Sequence, residues 1–202
     1  MSRRAKVTIL YEDARGQRTE FGLHRLVLAA VRDSDAITAL PHEVASALEH
    51  RCQKGIDQVL RTCRESLADL ARDGRKVAVV VDEDVIREKL KLPPGTALQA
   101  VKENIVTLCP DAVRPQVAVF VLSRNTESVL KAAQTCVQEH RAETPSTEQF
   151  ERALRKDPLA RDQVLSGVAK ETHVKVRRCI EKKVPALAEL VAWLTQTLTA
   201  HA

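Results

Sequence analysis

Three short runs of nearly uninterrupted apolar residues punctuate a chain that elsewhere is patterned at three- and four-residue spacing: Val7-Thr8-Ile9-Leu10-Tyr11, Val77-Ala78-Val79-Val80-Val81 and Val117-Ala118-Val119-Phe120-Val121-Leu122. Each has strand length, is rich in β-branched residues and lacks polar alternation, which is the pattern of strands buried on both faces of a parallel sheet. A polar stretch follows each run. After the first, residues 12–19 carry Gly16 and read as a loop, Thr19 can cap a helix, and Phe21, Leu23, Leu26, Val27 and Ala30 predict an amphipathic helix over 20–31. After the third, a helix is predicted from Glu127 to His140.

Between the first two strands, residues 34–40 have no decided period. From Pro41 onward, Val44, Leu48, Cys52, Ile56, Val59, Leu60, Cys63, Leu67 and Leu70 fall on one stripe and predict a single long helical stretch that stops at Asp73-Gly74. A short helix over 85–90 is halted by Pro93-Pro94-Gly95, and another over 96–108 is broken at Cys109-Pro110-Asp111. Past Arg141 no further run resembles a strand. Helices are expected over 150–154, 161–183 and 185–199, the last with Leu187, Leu190, Val191, Leu194 and Leu198 on one face. Strand-then-helix repetition predicts an α/β fold, a mostly parallel Rossmann-like sheet flanked by helices over residues 1–142, with a helical appendage over 143–202.

Composition narrows the functional classes. The 202 residues hold 32 Lys and Arg against 27 Asp and Glu, for a net charge of +5 and a pI near 9.1, a balance that accommodates nucleic acid without requiring it. With three Phe, one Tyr and one Trp, there is little material for a base-stacking platform. Cys52, Cys63, Cys109, Cys136 and Cys179 are odd in number and form no Cys-x-x-Cys pair, so reduced thiols on helix or strand faces are expected. No run approaches the roughly twenty apolar residues of a membrane span, and the first residues carry no signal-like stretch, so a cytoplasmic protein without membrane association is expected. A Gly-x-Ser-x-Gly elbow and a Gly-rich phosphate loop are both missing from the sequence.

The chemistry of interest lies where the strands end. The first run finishes in Glu12-Asp13, the second in Asp82-Glu83-Asp84, and Glu127 follows the third. In an open α/β sheet, the carboxyl ends of the strands form the edge where ligands bind. Hard oxygen donors on one edge suit magnesium or manganese, which keep several waters and need few protein ligands. If the strand continues through Asp84, alternation points Asp82 and Asp84 the same way and Glu83 oppositely. His24, one turn past Glu20, would stand near such a site, whereas Tyr11 is a core residue. The competing reading is a solvated acidic rim in which Asp caps the next helix.

Glu12 after a first strand, Asp82-x-Asp84 after a later one, and Asn125-x-Glu127 before a helix resemble the Toprim domain of topoisomerases, primases, OLD-type nucleases and small stand-alone Toprim proteins. Thr19-Glu20 is similar to the pair that opens the first helix in the stand-alone members. The resemblance covers residues 5–140 and implies a mostly parallel sheet between helices with magnesium-dependent chemistry on phosphodiester bonds. It assigns Glu12 as general acid/base or metal-linked carboxylate and Asp82 and Asp84 as metal ligands, with Glu127 and Glu20 adding to the acidic pocket. An ATPase motif is missing from the sequence, so an OLD-type nuclease would take that activity from a partner subunit.

The basic stretch 170–183, with Lys175, Arg177 and Arg178, offers a helix face for phosphate contacts, or simply a solvated face. The expected function is a metal-dependent nuclease or phosphodiester phosphotransfer enzyme of Toprim type, in phage defence or DNA repair. The alternative is a non-catalytic α/β module that binds a protein partner or nucleic acid. A phosphoacceptor receiver domain using Glu12-Asp13 and Asp82 is a third reading, set back by the long insertion between those acids and by the want of a well-placed Lys after a later strand.

Overall fold

The computed structural model describes residues 6–12, 22–93, 95–123, 126–155 and 157–200. Strand β1 (Val7–Glu12) leads to helices α1 (Gly22–Arg32) and α2 (Pro41–Ala47), strand β2 (Leu48–Gln53), and helices α3 (Ile56–Glu65) and α4 (Leu67–Leu70). Strand β3 (Lys76–Asp82), helices α5 (Glu83–Lys89) and α6 (Leu98–Thr107) and strand β4 (Val117–Leu122) follow. The chain then runs through α7 (Thr126–Glu139), α8 (Thr147–Leu154), α9 (Pro158–Val168), α10 (Val174–Lys183) and α11 (Pro185–Thr199).

All strand pairs are parallel, in the order β2-β1-β3-β4, with Val7 opposite both Leu48 and Lys76 and Val77 opposite Val117. The two inner strands are the most deeply covered, and Val7, Ile9, Leu10, Val77, Ala78 and Val79 are fully buried. On one face Leu10, Val79, Val81 and Val121 meet Val59, Leu60 and Cys63 of α3, Ile86 of α5 and Ile105 of α6. Each such aliphatic side chain contributes about 1.5–3 kcal/mol by its burial. This α/β fold with a parallel sheet and helices around it is the expected class.

The single helix expected from Pro41 to Leu70 is instead α2, strand β2, α3 and α4. Residues 48–53, LEHRCQ, contain no β-branched side chain, and only Leu48 among them is buried. Pairing decides the outcome: the open side of β1 carries backbone groups that must find partners, and the register Val7↔Leu48 through Glu12↔Gln53 supplies them. Gly55 then turns the chain, with φ 80° and ψ 171°, a region essentially restricted to glycine.

By their contacts the strands and α3–α6 form one unit, while α1 and α7–α11 form a second. The sequence-based division at residue 142 counts α1 and α7 with the sheet; the contacts group them with the C-terminal helices. Within the helical unit, α1 crosses α9 at Gly22, where an added Cβ would lie 2.8 Å from Asp162 O and 2.9 Å from Leu165 Cβ. Residues 161–183 form two helices rather than one, separated by a 3-10 turn at Glu171–His173. Asp157 caps α9 by accepting from the N–H groups of Leu159 and Ala160, with Pro158 opening the helix.

The cysteines require a second correction. Cys136 of α7 and Cys179 of α10 are joined in a disulfide, so these two are not reduced thiols. Their helices meet in space, which sequence separation hides. Cys63 and Cys109 are buried free thiols and Cys52 is a half-buried one. Among the described residues no helix is long and apolar enough to cross a membrane.

Candidate functional site

Strands β1 and β3 are parallel neighbours, so both carboxyl ends reach the same edge of the sheet. Glu12 ends β1 and shares the alternation of Leu10, which places it on the face lined by α3 and α5. Its Oε2 accepts a hydrogen bond from the backbone N–H of Asp82 at 3.3 Å. The backbone N–H of Ile56, the first residue of α3, also acts on this carboxylate and favours its charged form. That helix has Gly55 at its N-cap and no side-chain cap of its own. Glu12 therefore supplies, from a different strand, the anion that a helix N-terminus favours.

Burial pushes the half-buried Glu12 carboxyl above the ordinary range; the Asp82 N–H opposes this, the nearby Asp84 charge adds to it, and the Ile56 N–H opposes it without reversing the outcome. Glu12 and Asp84 thus sense one another electrostatically across the edge.

Asp82 ends β3 and stands at the N-cap of α5, with no capping hydrogen bond from its side chain. Its strand alternation is that of Ala78 and Val80, opposite to the set that contains Glu12's neighbours in register. Because α5 begins at Glu83, Asp84 lies in a helical first turn, where its Oδ1 accepts from the Val85 N–H at 3.0 Å. Alternation along a continued strand is therefore not what positions Asp82 and Asp84. Glu83 is held by Arg87 at 2.8 Å, and Arg87 also donates to the Thr96 carbonyl.

The carboxylate oxygens of Glu12, Asp82 and Asp84 do not all come within 4.8 Å of one another; among the described residues the group that does is Cys136, Glu139 and Cys179. The donor chemistry at the sheet edge nonetheless fits a hard divalent cation. Glu12 and exposed Asp84 are oxygen donors on the same side of the sheet, and a cation would relieve the burial and repulsion that raise Glu12.

Of the remaining expected residues, those described belong to the helical unit. Glu127 opens α7 in the helical unit, where Arg161 of α9 donates to its Oε1 at 3.3 Å. Asp13, Gly16, Thr19, Glu20, Phe21 and Asn125 lie outside the described residues. His24 is buried on α1 in the helical unit. Lys175 and Arg178 are exposed on α10, but Arg177 is only 2% exposed and bound to Asp33, so it is not part of a phosphate-facing surface. Its spacing held the signal: position 177 is in phase with the buried Ile180 and Val184, on the apolar side of α10.

A basic cavity of about 400 Å³ in the helical unit is lined by Glu139, His140, Lys175, Arg178, Cys179, Lys182 and Lys183. Reading residues in isolation missed it, because its members come from both α7 and α10.

Comparison with protein families, with curated proteins and with solved structures finds no match to this chain.

Proposed function

We propose that the carboxyl edge of the sheet binds magnesium or manganese through Glu12 and Asp84, with Asp82 beside them, and acts on phosphodiester bonds in the manner the Toprim resemblance implies. The observation that carries this reading is Glu12: a half-buried carboxyl at a strand end, raised by burial and by Asp84, with its Oε2 anchored on the Asp82 N–H. A carboxyl in that position gains from taking up either a proton or a cation. A bound divalent ion would neutralise charge on phosphate oxygens. Glu12 itself, held by the Asp82 N–H, is oriented to keep or release a proton at a fixed point of the edge.

A second reading rests on the same contacts. The hydrogen bond from Asp82 ties β1 to β3 and the carboxylate complements the N-terminus of α3, a structural task that a non-catalytic module would also need.

Titration calorimetry of wild-type, Glu12→Gln and Asp84→Asn protein with magnesium and manganese, followed by assays on single- and double-stranded DNA and RNA, separates the two. Cation binding that weakens at least tenfold in both variants, together with cleavage that depends on both residues, is the expected result. Cation binding unaffected by either substitution, or no cleavage of any nucleic acid, leaves the structural role alone.

A further inference from the structure

From the placement of the Cys136–Cys179 disulfide beside the basic cavity of the helical unit, we infer that it is a thiol-exchange site for small thiols that carry carboxylates. Two observations converge. Cys136 is fully buried, whereas Cys179 is half-buried and lines the cavity, so one sulfur of the pair is presented to solvent and the other is withheld. The cavity around that presented sulfur is strongly cationic: Lys175, Arg178, Lys182 and Lys183 face one carboxylate, Glu139, with His140 at the rim.

The local pairings leave a positive excess. Glu139 is engaged by Lys183 at 3.0 Å, and its Oε2 lies 3.3 Å from Cys179 Sγ. Arg178 reaches Asp35 at 3.5 Å. Lys175 and Lys182 have no carboxylate of the described residues within ion-pair distance and remain to attract an anion. A structural disulfide has no need of such a setting, whereas thiol exchange depends on the concentration and approach of an attacking thiolate.

The chemistry balances without any further reagent. The thiolate of the small thiol forms a bond to Cys179 Sγ, the Cys136–Cys179 bond breaks, and Cys136 leaves with the electron pair and takes a proton from solvent. A second small thiol then attacks the mixed disulfide, releasing the oxidised small disulfide and the Cys179 thiolate. Two thiols are oxidised and one protein disulfide is reduced; run backwards, the pair oxidises a dithiol. Cys136, held in the core, is the resolving sulfur that closes the pair again.

The test is a kinetic comparison on the full chain. Reduced glutathione, which is anionic, is compared with neutral 2-mercaptoethanol and cationic cysteamine, each at equal thiolate concentration, with alkylation and mass spectrometry reading the state of Cys136 and Cys179. Glutathione is expected to react roughly tenfold faster than cysteamine at low salt, and the preference should shrink in high salt and in the Lys175→Ala, Lys182→Ala double variant. In Cys136→Ser, where Cys179 is a free thiol, oxidised glutathione should leave a stable mixed disulfide on Cys179 and release one reduced glutathione. Because both lysines are exposed, the double variant keeps the test valid even where Cys136→Ser misfolds. Equal rates for the three thiols, a preference untouched by the lysine substitutions, or a disulfide inert to all three would overturn the inference.

Discussion

Arg177 and Asp33 are joined by two parallel hydrogen bonds in the helical unit, Nε to Oδ2 at 2.5 Å and Nη2 to Oδ1 at 2.9 Å. The remaining arm of the guanidinium donates to the carbonyl oxygens of Val168 and Lys170. Val168 ends α9, so Arg177 takes up carbonyls that a helix C-terminus leaves without partners. This accounts for the break between α9 and α10 although no proline or glycine falls in residues 169–173. Arg177→Met should therefore destabilise the protein by about 3–5 kcal/mol, because Asp33 would be left without its partner. Urea unfolding measures this, and Arg177→Lys should recover little because an ammonium cannot reproduce the fork. A loss below about 1 kcal/mol would show that Arg177 is not the keystone of this unit.

Gly55 links fold and candidate site. Its backbone lies at φ 80°, ψ 171°, and a Cβ added there would meet nothing within 4 Å. Gly55→Ala thus isolates backbone strain from steric clash, and a loss of about 1–3 kcal/mol is expected. Since the turn delivers the Ile56 N–H to Glu12, the same substitution should weaken cation binding at the sheet edge. Unchanged stability would mean that the turn relaxes without penalty.

The parts of the fold legible in the sequence are those whose burial is nearly complete. Strands β1, β3 and β4 announce themselves as apolar runs because both their faces are covered. Strand β2 does not, since Leu48 alone is buried and the four-residue spacing of Val44, Leu48, Cys52 and Ile56 imitates a helix stripe. The strand ends were legible too, and with them Glu12, Asp82 and Asp84. Their relative geometry was not, because it depends on α5 starting one residue after Asp82. Arg177 looked like a surface cation by type although its phase matched the core. The disulfide was beyond reach of spacing: Cys136 and Cys179 are 43 residues apart and meet only because α7 and α10 do.

At Gly22 the expected effect is steric. A Cβ there would sit 2.8 Å from Asp162 O and 2.9 Å from both Asp162 Cα and Leu165 Cβ, which are backbone and near-backbone atoms that cannot swing aside. Gly22→Ala should force α1 away from α9 and lose about 1–3 kcal/mol, despite alanine's better helix propensity. Thermal unfolding followed by circular dichroism reads the result. A stabilised variant would indicate that α1 and α9 separate more easily than their close approach implies.

For Glu12 the sign of the pH dependence can be worked out. Its folded-state value lies above the ordinary glutamate value of about 4.3, so the folded protein holds the proton more tightly than the unfolded chain does. The resulting stabilisation is complete below about pH 4.3 and disappears as pH rises through the raised value. Glu12→Gln keeps a side-chain oxygen for the Asp82 N–H and carries no charge at any pH. Relative to wild type, that variant should therefore gain stability as pH rises from about 4.3 through the raised Glu12 value, and level off above it. Urea midpoints at several pH values measure the trend. Saturating magnesium should flatten it, because a cation at the edge stabilises the ionised Glu12 that burial and Asp84 disfavour. A trend present in both conditions would confine Glu12 to its hydrogen bond with Asp82, and a difference independent of pH would remove the premise that its burial matters.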